Sequence, residues 1–408
     1  MPNRRRPAAG PGAGPAAVTG AAVPLSILDL VPISSGSTAA DALRNTIDLA
    51  RRAEQLGYRR YWLAEHHLNP GVAGTSPAVL IALLAGATSR IRLGAGAVQM
   101  GHRTALSVVE EFGLLATAAP GRIDLGIGRS AGPPPGATAP AGPAAGGPSA
   151  RTGTGVDGTL AGGTVTPEGL LLPPAFSAAA LFGSPRFAAQ AELLRQPGAE
   201  PPSYTRQVGD ILALLAGEWR SSAGVPVQVI PGEHADLAVW VLGSSAGESA
   251  TVAGARGLPF GTNYHISPAT VVEAAEAYRR AFQPSAVLAE PYVLVSADVV
   301  VAADDATARR LAAGYGAWVR SIRSGAGAIP FPTPAEADAM AWTDADRAMV
   351  ADRVATQFVG SPATVAERLA TLAAATRADE LLVTTITHDH ADRVRSYELL
   401  AQHWLGSA

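Results

Sequence analysis

The sequence predicts an α/β fold, a (β/α)8 TIM barrel, on three observations. From residue 25 onward, short apolar runs alternate with amphipathic stretches in about eight strand–helix units. The apolar runs are nearly continuous, as expected of parallel strands that are buried on both faces. Polar side chains directly follow several of these runs, where a barrel carries its functional groups. A doubly wound open sheet is the competing fold, and the number of units favours the barrel.

The first half of the chain contains four predicted strands. "LSILDLV" predicts the first, and Thr38 and Asp41 predict the N-cap and first turn of the helix after it. Gly57 supplies the left-handed stop of that helix. "YWLAEHH" predicts the second strand, and Ser76-Pro77 starts the next helix with proline at its first position. The third and fourth strands are predicted in "SRIRLGAGAVQM" and "GRIDLGIGRS", separated by the helix "TALSVVEEFGLLATAA".

A long Gly/Pro/Ala-rich stretch interrupts the alternation after the fourth strand. Residues 131–184 have few apolar anchors and cannot bury enough surface to offset their ordering entropy, so a flexible insertion is predicted. A lid over a functional site is its alternative role, because long loops in compact domains are often lids. Residues 1–22 are predicted to be a disordered N-terminal tail, since Pro and Gly interrupt any export signal. Residues 23–408 then form the barrel.

The alternation resumes in the second half of the chain with the helix "YTRQVGDILALLAGEW". Four more strands are predicted in "DLAVWVLGSS", "LPFGTNY", "PYVLVSADVVVA" and "DELLVTTITHDH". Ser267-Pro268 and Ser361-Pro362 repeat the Ser-Pro helix start. A closing helix is predicted to end at Trp404.

Composition excludes several classes of function. The net charge of −3 gives no electrostatic case for binding nucleic acid or an anionic membrane. The sequence has no cysteine, which removes thiolate nucleophiles and cysteine–zinc sites. It has no lysine, which removes a P-loop lysine and a pyridoxal Schiff base. No apolar run is long enough to span a bilayer, so a cytoplasmic location is expected.

Two adjacent histidines, His66 and His67, stand where the second strand ends. Neighbouring residues of an extended chain point to opposite faces, so this pair would not readily chelate one metal. The sequence around them has no HExxH pattern, and no metal site is predicted. We expect one imidazole to face a functional site while the other packs or meets solvent.

A second candidate site combines Arg129, after the fourth strand, with the turn Gly243-Ser244-Ser245 after the fifth. A guanidinium together with backbone N–H groups at a helix start suits a phosphate. Arg129 alone could be a surface ion pair, and the turn an ordinary strand–helix connection. Their placement at the same end of a barrel favours an anion site. Asn263 and His265 follow the sixth strand at that end and are candidates for substrate contact.

The segment "GSSAG" also fits the G-x-S-x-G pattern of a serine hydrolase. Ser245 would be the nucleophile, with His388 or His390 as its base. No HGGG-type oxyanion segment precedes it, and short patterns of small residues occur by chance in a chain with 44 glycines. The hydrolase is therefore the lesser alternative, and "HDH" near the end of the chain is better explained as a polar turn than as a metal site.

Several segments, in order along the chain, resemble the bacterial luciferase-like monooxygenases, in the branch of standalone flavin monooxygenases. They are "SILDLVPI", "GYRRYWLAEHH", "LGAGAVQM", "PGRIDLGIGR", "VWVLGSS", "GLPF" and "ADELLV". The resemblance extends from Pro24 to Trp404, apart from the insertion. It implies a TIM barrel that uses reduced FMN and O2, forms a C4a-peroxyflavin and passes one oxygen atom to a small organic substrate.

The resemblance also implies roles for individual residues. His66 falls on the catalytic histidine and Arg129 on the phosphate arginine, and a non-proline cis peptide bond is implied between Gly96 and Ala97. The phosphate loop falls on Gly243, Ser244, Ser245 and Ser249. The implied partners are a separate NAD(P)H-dependent flavin reductase and a second copy of the chain in a homodimer.

Two departures from the family pattern leave the substrate open. "GHRTAL" after the third strand puts Arg103 where a small polar residue is commoner, and the loop after Arg129 is replaced and enlarged. An F420-dependent oxidoreductase of the same superfamily is the alternative enzyme, and a non-enzymatic flavin-binding protein is the alternative of another class. Small-residue richness and exclusive use of arginine suit natural-product tailoring in a high-GC genome.

Overall fold

The computed structural model describes residues 23–129, 162–194, 198, 200 and 202–406. The predicted N-terminal tail and residues 131–161 of the predicted insertion lie outside the described residues. Among those described, no helix combines the length and the apolar character that crossing a bilayer requires.

Eight parallel strands close into a barrel, which confirms the predicted fold. Their order around the barrel is β10, β12, β1, β2, β3, β5, β8 and β9, and pairing of β9 with β10 closes it. Short β4 and β11 add parallel pairings to β5 and β10, while β6 and β7 form a separate antiparallel hairpin. The strands are β1 (Leu25–Asp29), β2 (Arg60–Leu63), β3 (Arg92–Ala95), β4 (Val98–Gln99), β5 (Ile123–Gly128), β6 (Thr164–Val165), β7 (Leu171–Leu172), β8 (Leu237–Leu242), β9 (Phe260–Asn263), β10 (Val293–Val301), β11 (Phe358–Gly360) and β12 (Glu380–Thr384).

Helices surround the barrel and connect its strands. They are α1 (Ala39–Gln55), α2 (Pro77–Ala85), α3 (Ala105–Ala118), α4 (Ala179–Phe182), α5 (Pro185–Leu194), α6 (Tyr204–Leu215), α7 (Glu248–Ala255), α8 (Val271–Ala281), α9 (Asp305–Leu311), α10 (Tyr315–Arg323), α11 (Pro334–Ala339), α12 (Asp344–Thr356), α13 (Pro362–Thr376) and α14 (His390–Trp404). Two single 3₁₀ turns cover Met100–His102 and Pro268–Thr270.

The caps read from the sequence account for several helix ends. Thr38 and Asp41 form a reciprocal capping box at the start of α1, and Gly57 follows that helix with φ +82°. Ser361 caps α13 with its hydroxyl, which accepts a hydrogen bond from the Thr364 N–H. Ser76 precedes Pro77 at the start of α2, but its side chain makes no capping hydrogen bond there.

The second part of the predicted insertion contains regular structure, contrary to the predicted flexibility. Residues 162–184 include the β6–β7 hairpin and α4, and α5 begins directly afterwards. The carbonyl of Leu171 accepts a hydrogen bond of 2.7 Å from the Tyr264 hydroxyl. On α5, Arg186 donates to the carbonyls of Leu68 and Gly325 at 3.1 and 3.0 Å. These contacts fix the segment against the loops that follow β2, β9 and α10.

The two ends of the barrel have different chemistry. Arg60 and Glu380 begin β2 and β12, and Arg60 pairs with Glu380 and, at 3.2 Å, with Asp124 of β5. This buried ion-pair network fills the N-terminal end of the barrel. Above it, Trp62 is fully buried and meets Trp240 edge-to-face at 5.4 Å. The residues that follow the strands lie at the C-terminal end, where TIM barrels carry their functional groups.

Candidate active site

Strand pairing places Arg129 beside the Gly243 turn. Strands β5 and β8 are parallel neighbours, and Gly128 and Leu242 are register partners at their C-terminal ends. The next residue of each strand is Arg129 and Gly243 respectively, so the guanidinium and the turn leave the barrel together. Arg129 is half-exposed, and its Nη1 lies 3.9 Å from the Glu248 carboxylate at the start of α7.

The Gly243 turn is a tight cradle at the N-terminus of α7. A Cβ on Gly243 would lie 2.7 Å from the Cβ of Ser249, so only glycine lets Ser249 pack beneath the turn. The Ser244 carbonyl accepts a hydrogen bond of 2.6 Å from the Thr270 hydroxyl, which anchors the turn to the next strand–helix connection. The first N–H groups of a helix favour anions, so the cradle and Arg129 together suit a phosphate.

Tyr204 is a member of this region that the sequence did not reveal. It begins α6, is buried, and donates a hydrogen bond of 2.9 Å to the carbonyl of Ile127 on β5. Burial raises the pKa of Tyr204, while the Ser249 hydroxyl and the charge of Arg129 oppose that rise. Its phenol therefore stays neutral and links β5 to the Ser249 side of the cradle.

His66 follows β2 and carries a buried imidazole nitrogen. Its backbone N–H donates to the Gly74 carbonyl at 2.7 Å, which fixes the residue just past β2. Its Nδ1 is buried and has no hydrogen-bond partner among the described residues. Burial, and secondarily the neighbouring His67, lower the pKa of His66 to about 4. A neutral imidazole with an unsatisfied nitrogen at the barrel rim can accept or donate a proton.

His67 points elsewhere, as expected for adjacent residues. Its Nε2 lies 2.9 Å from Oε1 of the buried Glu65, and His102 Nε2 lies 3.2 Å from the same oxygen. The other carboxylate oxygen accepts a hydrogen bond of 3.0 Å from the Gln99 N–H. Burial disfavours ionisation of Glu65, but these hydrogen bonds and Arg103 lower its pKa to about 2. This anionic centre orients the segment that carries His66.

The Glu65 cluster also has the spacing of a metal site. The ligand atoms of Glu65, His67 and His102 lie within 4.8 Å of one another. However, Arg103 already places a guanidinium nitrogen 3.6 Å from Glu65 Oε1, and a second cation there would face like-charge repulsion. We therefore interpret the cluster as a hydrogen-bonded charge network. It also gives Arg103, the departure from the family pattern, a structural role.

Gly96 and Ala97 follow β3, which lies in the barrel between the strands that precede His66 and the Gly243 turn. The peptide bond that joins them is cis, as the resemblance implied. On the neighbouring strand, a Cβ on Gly128 would lie 2.9 Å from the Cβ of Ala97. Gly128, the second glycine of "GIGR", therefore leaves room for the Gly96–Ala97 segment next to β5.

Of the two substrate candidates, His265 is placed in the barrel and Asn263 supports a turn. His265 is buried after β9, and its Nδ1 lies 2.5 Å from the Ser296 hydroxyl of β10. Burial, then the charges of Arg353 and His66, lower the pKa of His265 to about 3. Asn263 Oδ1 accepts from the Ser267 N–H at 3.1 Å, which stabilises the local turn.

A buried polar cluster next to His265 was not predicted from the sequence. Arg353 Nη2 lies 3.2 Å from the Asp298 carboxylate and 2.9 Å from the Tyr315 hydroxyl. Burial raises the pKa of Asp298, although Arg353 opposes that rise. A signal was available, because Ser296 and Asp298 are two polar residues with period-two spacing in an otherwise apolar strand.

The serine hydrolase alternative lacks its base. His388 Nε2 lies 3.0 Å from the Ser35 carbonyl, and His390 Nε2 lies 2.9 Å from Asp48. Both histidines follow β12, which is three strands away from β8 around the barrel, and neither contacts Ser245. The triad that "GSSAG" suggested is therefore not formed, and Ser245 lies in the turn between β8 and α7.

Comparison with known proteins identifies the family of this chain. The model of the luciferase-like monooxygenase family matches residues 23–152 and 199–380. A luciferase-like monooxygenase of Escherichia coli K12 is 31% identical over 94% of this chain and 97% of its own length. The crystal structure of apo-MsnO8 superposes with a TM-score of 0.72 at 32% identity, covering 94% of this chain and 99% of that one.

More distant solved structures share the fold and differ in cofactor. A type II Baeyer–Villiger monooxygenase from Pseudomonas putida, in complex with FMN, is 19% identical, with a TM-score of 0.60 over 94% of this chain and 98% of that one. An F420-dependent secondary alcohol dehydrogenase, in complex with an F420–acetone adduct, is 13% identical, with a TM-score of 0.54 over 92% and 97%. The family model matches most of the chain, and a relative 31% identical matches it over nearly its full length. The chain therefore belongs to the luciferase-like monooxygenase family.

Proposed function

We propose that this chain is an FMN-dependent monooxygenase that uses reduced FMN and O2 to oxygenate a small organic substrate. Reduced FMN, when bound, would supply the electrons that activate O2 for transfer of one oxygen atom. The observation that carries the proposal is the register of β5 and β8, which joins Arg129 to the Gly243 cradle at the same rim as the unpaired nitrogen of His66.

The residues present fit a flavin with a phosphate tail. Arg129 and the N-terminus of α7 would hold the phosphate, and Ser244, Ser245 and Ser249 would supply hydroxyl and N–H donors around it. Gly243 lets the turn lie close against Ser249, because a Cβ there would be 2.7 Å from the Ser249 Cβ. The cis-linked Gly96–Ala97 segment lies between this cradle and His66, where the flavin ring would extend.

His66 would handle a proton at Nδ1. Its lowered pKa of about 4 leaves the imidazole neutral at physiological pH, and it would take up a proton from substrate or flavin only transiently and return it later in the cycle. The Glu65 network keeps His67 from competing for that position, because His67 is bonded to the carboxylate.

The substrate would lie near His265 and a group of aromatic residues. Tyr315, Trp318 and Phe331 are buried in one cluster with Trp62, and the Trp318 Nε1 has no hydrogen-bond partner among the described residues. An apolar wall with an unsatisfied donor suits a small organic molecule carrying one acceptor group. Asn263 would border the same space from the end of β9, and tailoring of a natural product would suit this chemistry.

The proposed partners follow from the proposed reaction. A separate NAD(P)H-dependent reductase would deliver reduced FMN in the cytoplasm. A homodimer would cover large apolar side chains that packed helices α2 and α3 leave exposed. These side chains are Val79, Leu83, Leu106 and Leu114.

The first test measures flavin binding and oxygenation with purified protein. With a flavin reductase, NADH and FMN, we expect O2 uptake to yield oxygenated product from a panel of ketones, aldehydes and thioethers. His66→Ala should slow product formation by about 10²–10⁴-fold. The exposed His403→Ala on α14 is the matched control and should leave the rate unchanged. Failure of the unaltered chain to bind oxidised or reduced FMN contradicts the proposal.

A second test separates FMN from F420. The full-length relative named above is a monooxygenase at 31% identity, whereas the F420 dehydrogenase shares the fold alone, so we expect FMN to bind more tightly. Arg129→Ala should weaken FMN binding far more than riboflavin binding, because riboflavin has no phosphate. Tighter binding of F420, with hydride transfer to or from it, would instead support the F420-dependent alternative.

A further inference from the structure

A carboxylate stands beside the guanidinium of the proposed phosphate site. Glu248 is the first residue of α7, and its Oε2 lies 3.9 Å from Arg129 Nη1. Its Oε1 accepts hydrogen bonds from the hydroxyl and the N–H of Thr205 at 2.8 and 3.3 Å. Since Thr205 lies in the first turn of α6, the carboxylate is anchored between two helices rather than free to turn away.

This position is electrostatically unfavourable for a phosphate ligand. A phosphate monoester carries close to two negative charges at neutral pH. Arg129 contributes one positive charge, and Glu248 already offsets it. A phosphate held by Arg129 would therefore meet the Glu248 carboxylate at close range, with repulsion that depends on solvent exposure. Both side chains are partly exposed, at 52% for Arg129 and 39% for Glu248, so the repulsion is moderate and not prohibitive.

We propose that Glu248 sets the affinity of the phosphate cradle, weakening it so that FMN is an exchangeable substrate and not a permanently bound group. The inference rests on the proposed function, since it concerns the same cradle. It agrees with a reaction in which reduced flavin arrives from another protein and oxidised flavin must leave. A carboxylate opposing the phosphate speeds that departure, because most affinity differences at one site are differences in dissociation rate.

A purely structural role for Glu248 predicts a different result. An acidic residue in the first turn of α7 stabilises the helix dipole, and the bonds to Thr205 join α6 to α7. Replacement by glutamine keeps an oxygen acceptor for Thr205 and removes the charge. If Glu248 is only structural, Glu248→Gln lowers stability slightly and leaves FMN affinity unchanged or weaker. If it tunes the cradle, FMN affinity rises.

The experiment compares FMN and riboflavin binding by calorimetry for the unaltered chain, Glu248→Gln and Glu290→Gln. Glu290 is exposed just before β10, at the opposite end of the barrel, and receives the same chemical change. We expect Glu248→Gln to lower the Kd of FMN about tenfold, which Coulomb's law gives for a dianion and a carboxylate about 6 Å apart in water. The Kd of riboflavin should stay within about twofold, and Glu290→Gln should change neither.

The outcomes separate this inference from the proposed function. If the unaltered chain binds FMN and Glu248→Gln leaves its Kd unchanged or raises it, Glu248 does not set the affinity. Equal tightening of FMN and riboflavin also overturns the inference, because riboflavin lacks the phosphate. If the unaltered chain binds no FMN, the proposed function fails, and the inference with it. Thermal unfolding checks that the variant is folded, and Glu248→Ala is measured in its place if Glu248→Gln is not.

Discussion

Gly128 lies directly against Ala97. A Cβ added to Gly128 would be only 2.9 Å from the Cβ of Ala97. This contact joins the last residue of β5 to the segment after β3, at the position where the flavin ring would extend. Arg129, the proposed phosphate ligand, is the next residue after Gly128. One glycine therefore spaces both the ring-binding segment and the phosphate-binding residue of the proposed cofactor site.

Substituting Gly128 should impair cofactor binding more than folding. In Gly128→Ala, the new methyl group would push the Gly96–Ala97 segment away from β5, at about 1–3 kcal/mol of overpacking. We expect FMN affinity to fall and the melting temperature to drop by several degrees. Gly86→Ala is the control, since a Cβ there meets its nearest atom at 3.8 Å. Unchanged FMN affinity in Gly128→Ala would show that this spacing does not matter.

Glu65 should be important for stability as an anion. Glu65→Gln puts an amide where His67, His102 and the Gln99 N–H all donate, so at least one donor loses its acceptor. We expect a loss of about 1–3 kcal/mol in the free energy of unfolding, measured with urea at pH 7. Because the folded pKa is lowered, the contribution is present above the unfolded value of 4.5 and disappears as the pH falls toward about 2.

The exposed Glu110 of α3 provides the control for this change. It lies on the solvent side of its helix, and Glu110→Gln should leave the free energy of unfolding within about 0.5 kcal/mol of the unaltered chain. Equal stability of Glu65→Gln and Glu110→Gln would show that the Glu65 network does not stabilise the segment that carries His66.

His265 should make the fold sensitive to mild acid. Its pKa is lowered from 6.5 to about 3, so the unfolded chain binds a proton at this residue that the folded chain does not. Stability therefore falls as the pH drops through this window, by up to about 1.4 kcal/mol per pH unit from this group. The free energy of unfolding is measured with urea at pH 7, 6 and 5. In His265→Gln it should change less with pH than in the unaltered chain. The exposed His403→Gln should show the same pH dependence of stability as the unaltered chain. Equal pH dependence in all three proteins would contradict this role of His265.

The exposed apolar face of α2 and α3 should be the dimer surface. Leu114 of α3 has 62% of its surface exposed, and Leu114→Glu would place a charge in the proposed contact. We expect light scattering to give a dimer mass for the unaltered chain and a monomer mass for Leu114→Glu. Val287→Glu, at a side chain 61% exposed elsewhere, should remain dimeric. A monomeric unaltered chain would rule out the homodimer.

The parts of the fold that local pattern determines could be read from the sequence. Periodicity of apolar residues gave the eight barrel strands, and the Thr38 capping box and Gly57 gave the ends of α1. The position of Arg129 and of the Gly243 turn after neighbouring strands was enough to predict that they lie together. These features depend on residues close in sequence or on one topological rule.

The parts that depend on distant pairings could not be read in this way. Arg353 belongs to a helix far along the chain from Asp298, and nothing local indicates that the two are buried together. The β6–β7 hairpin is held by Tyr264, from a strand that comes much later, so its sequence alone suggested flexibility. The adjacent letters of "EHH" likewise do not show that Glu65 binds His67, or that His66 Nδ1 has no hydrogen-bond partner in the described part of the chain.

Because β5 and β8 are hydrogen-bonded in register, the two anchors of the proposed phosphate site are held by the barrel wall itself. The stretch of chain between Arg129 and α6 does not determine their separation. That stretch could be lengthened, shortened or exchanged between relatives while both anchors keep their places. Preference for a new substrate can thus evolve there at little cost to flavin affinity.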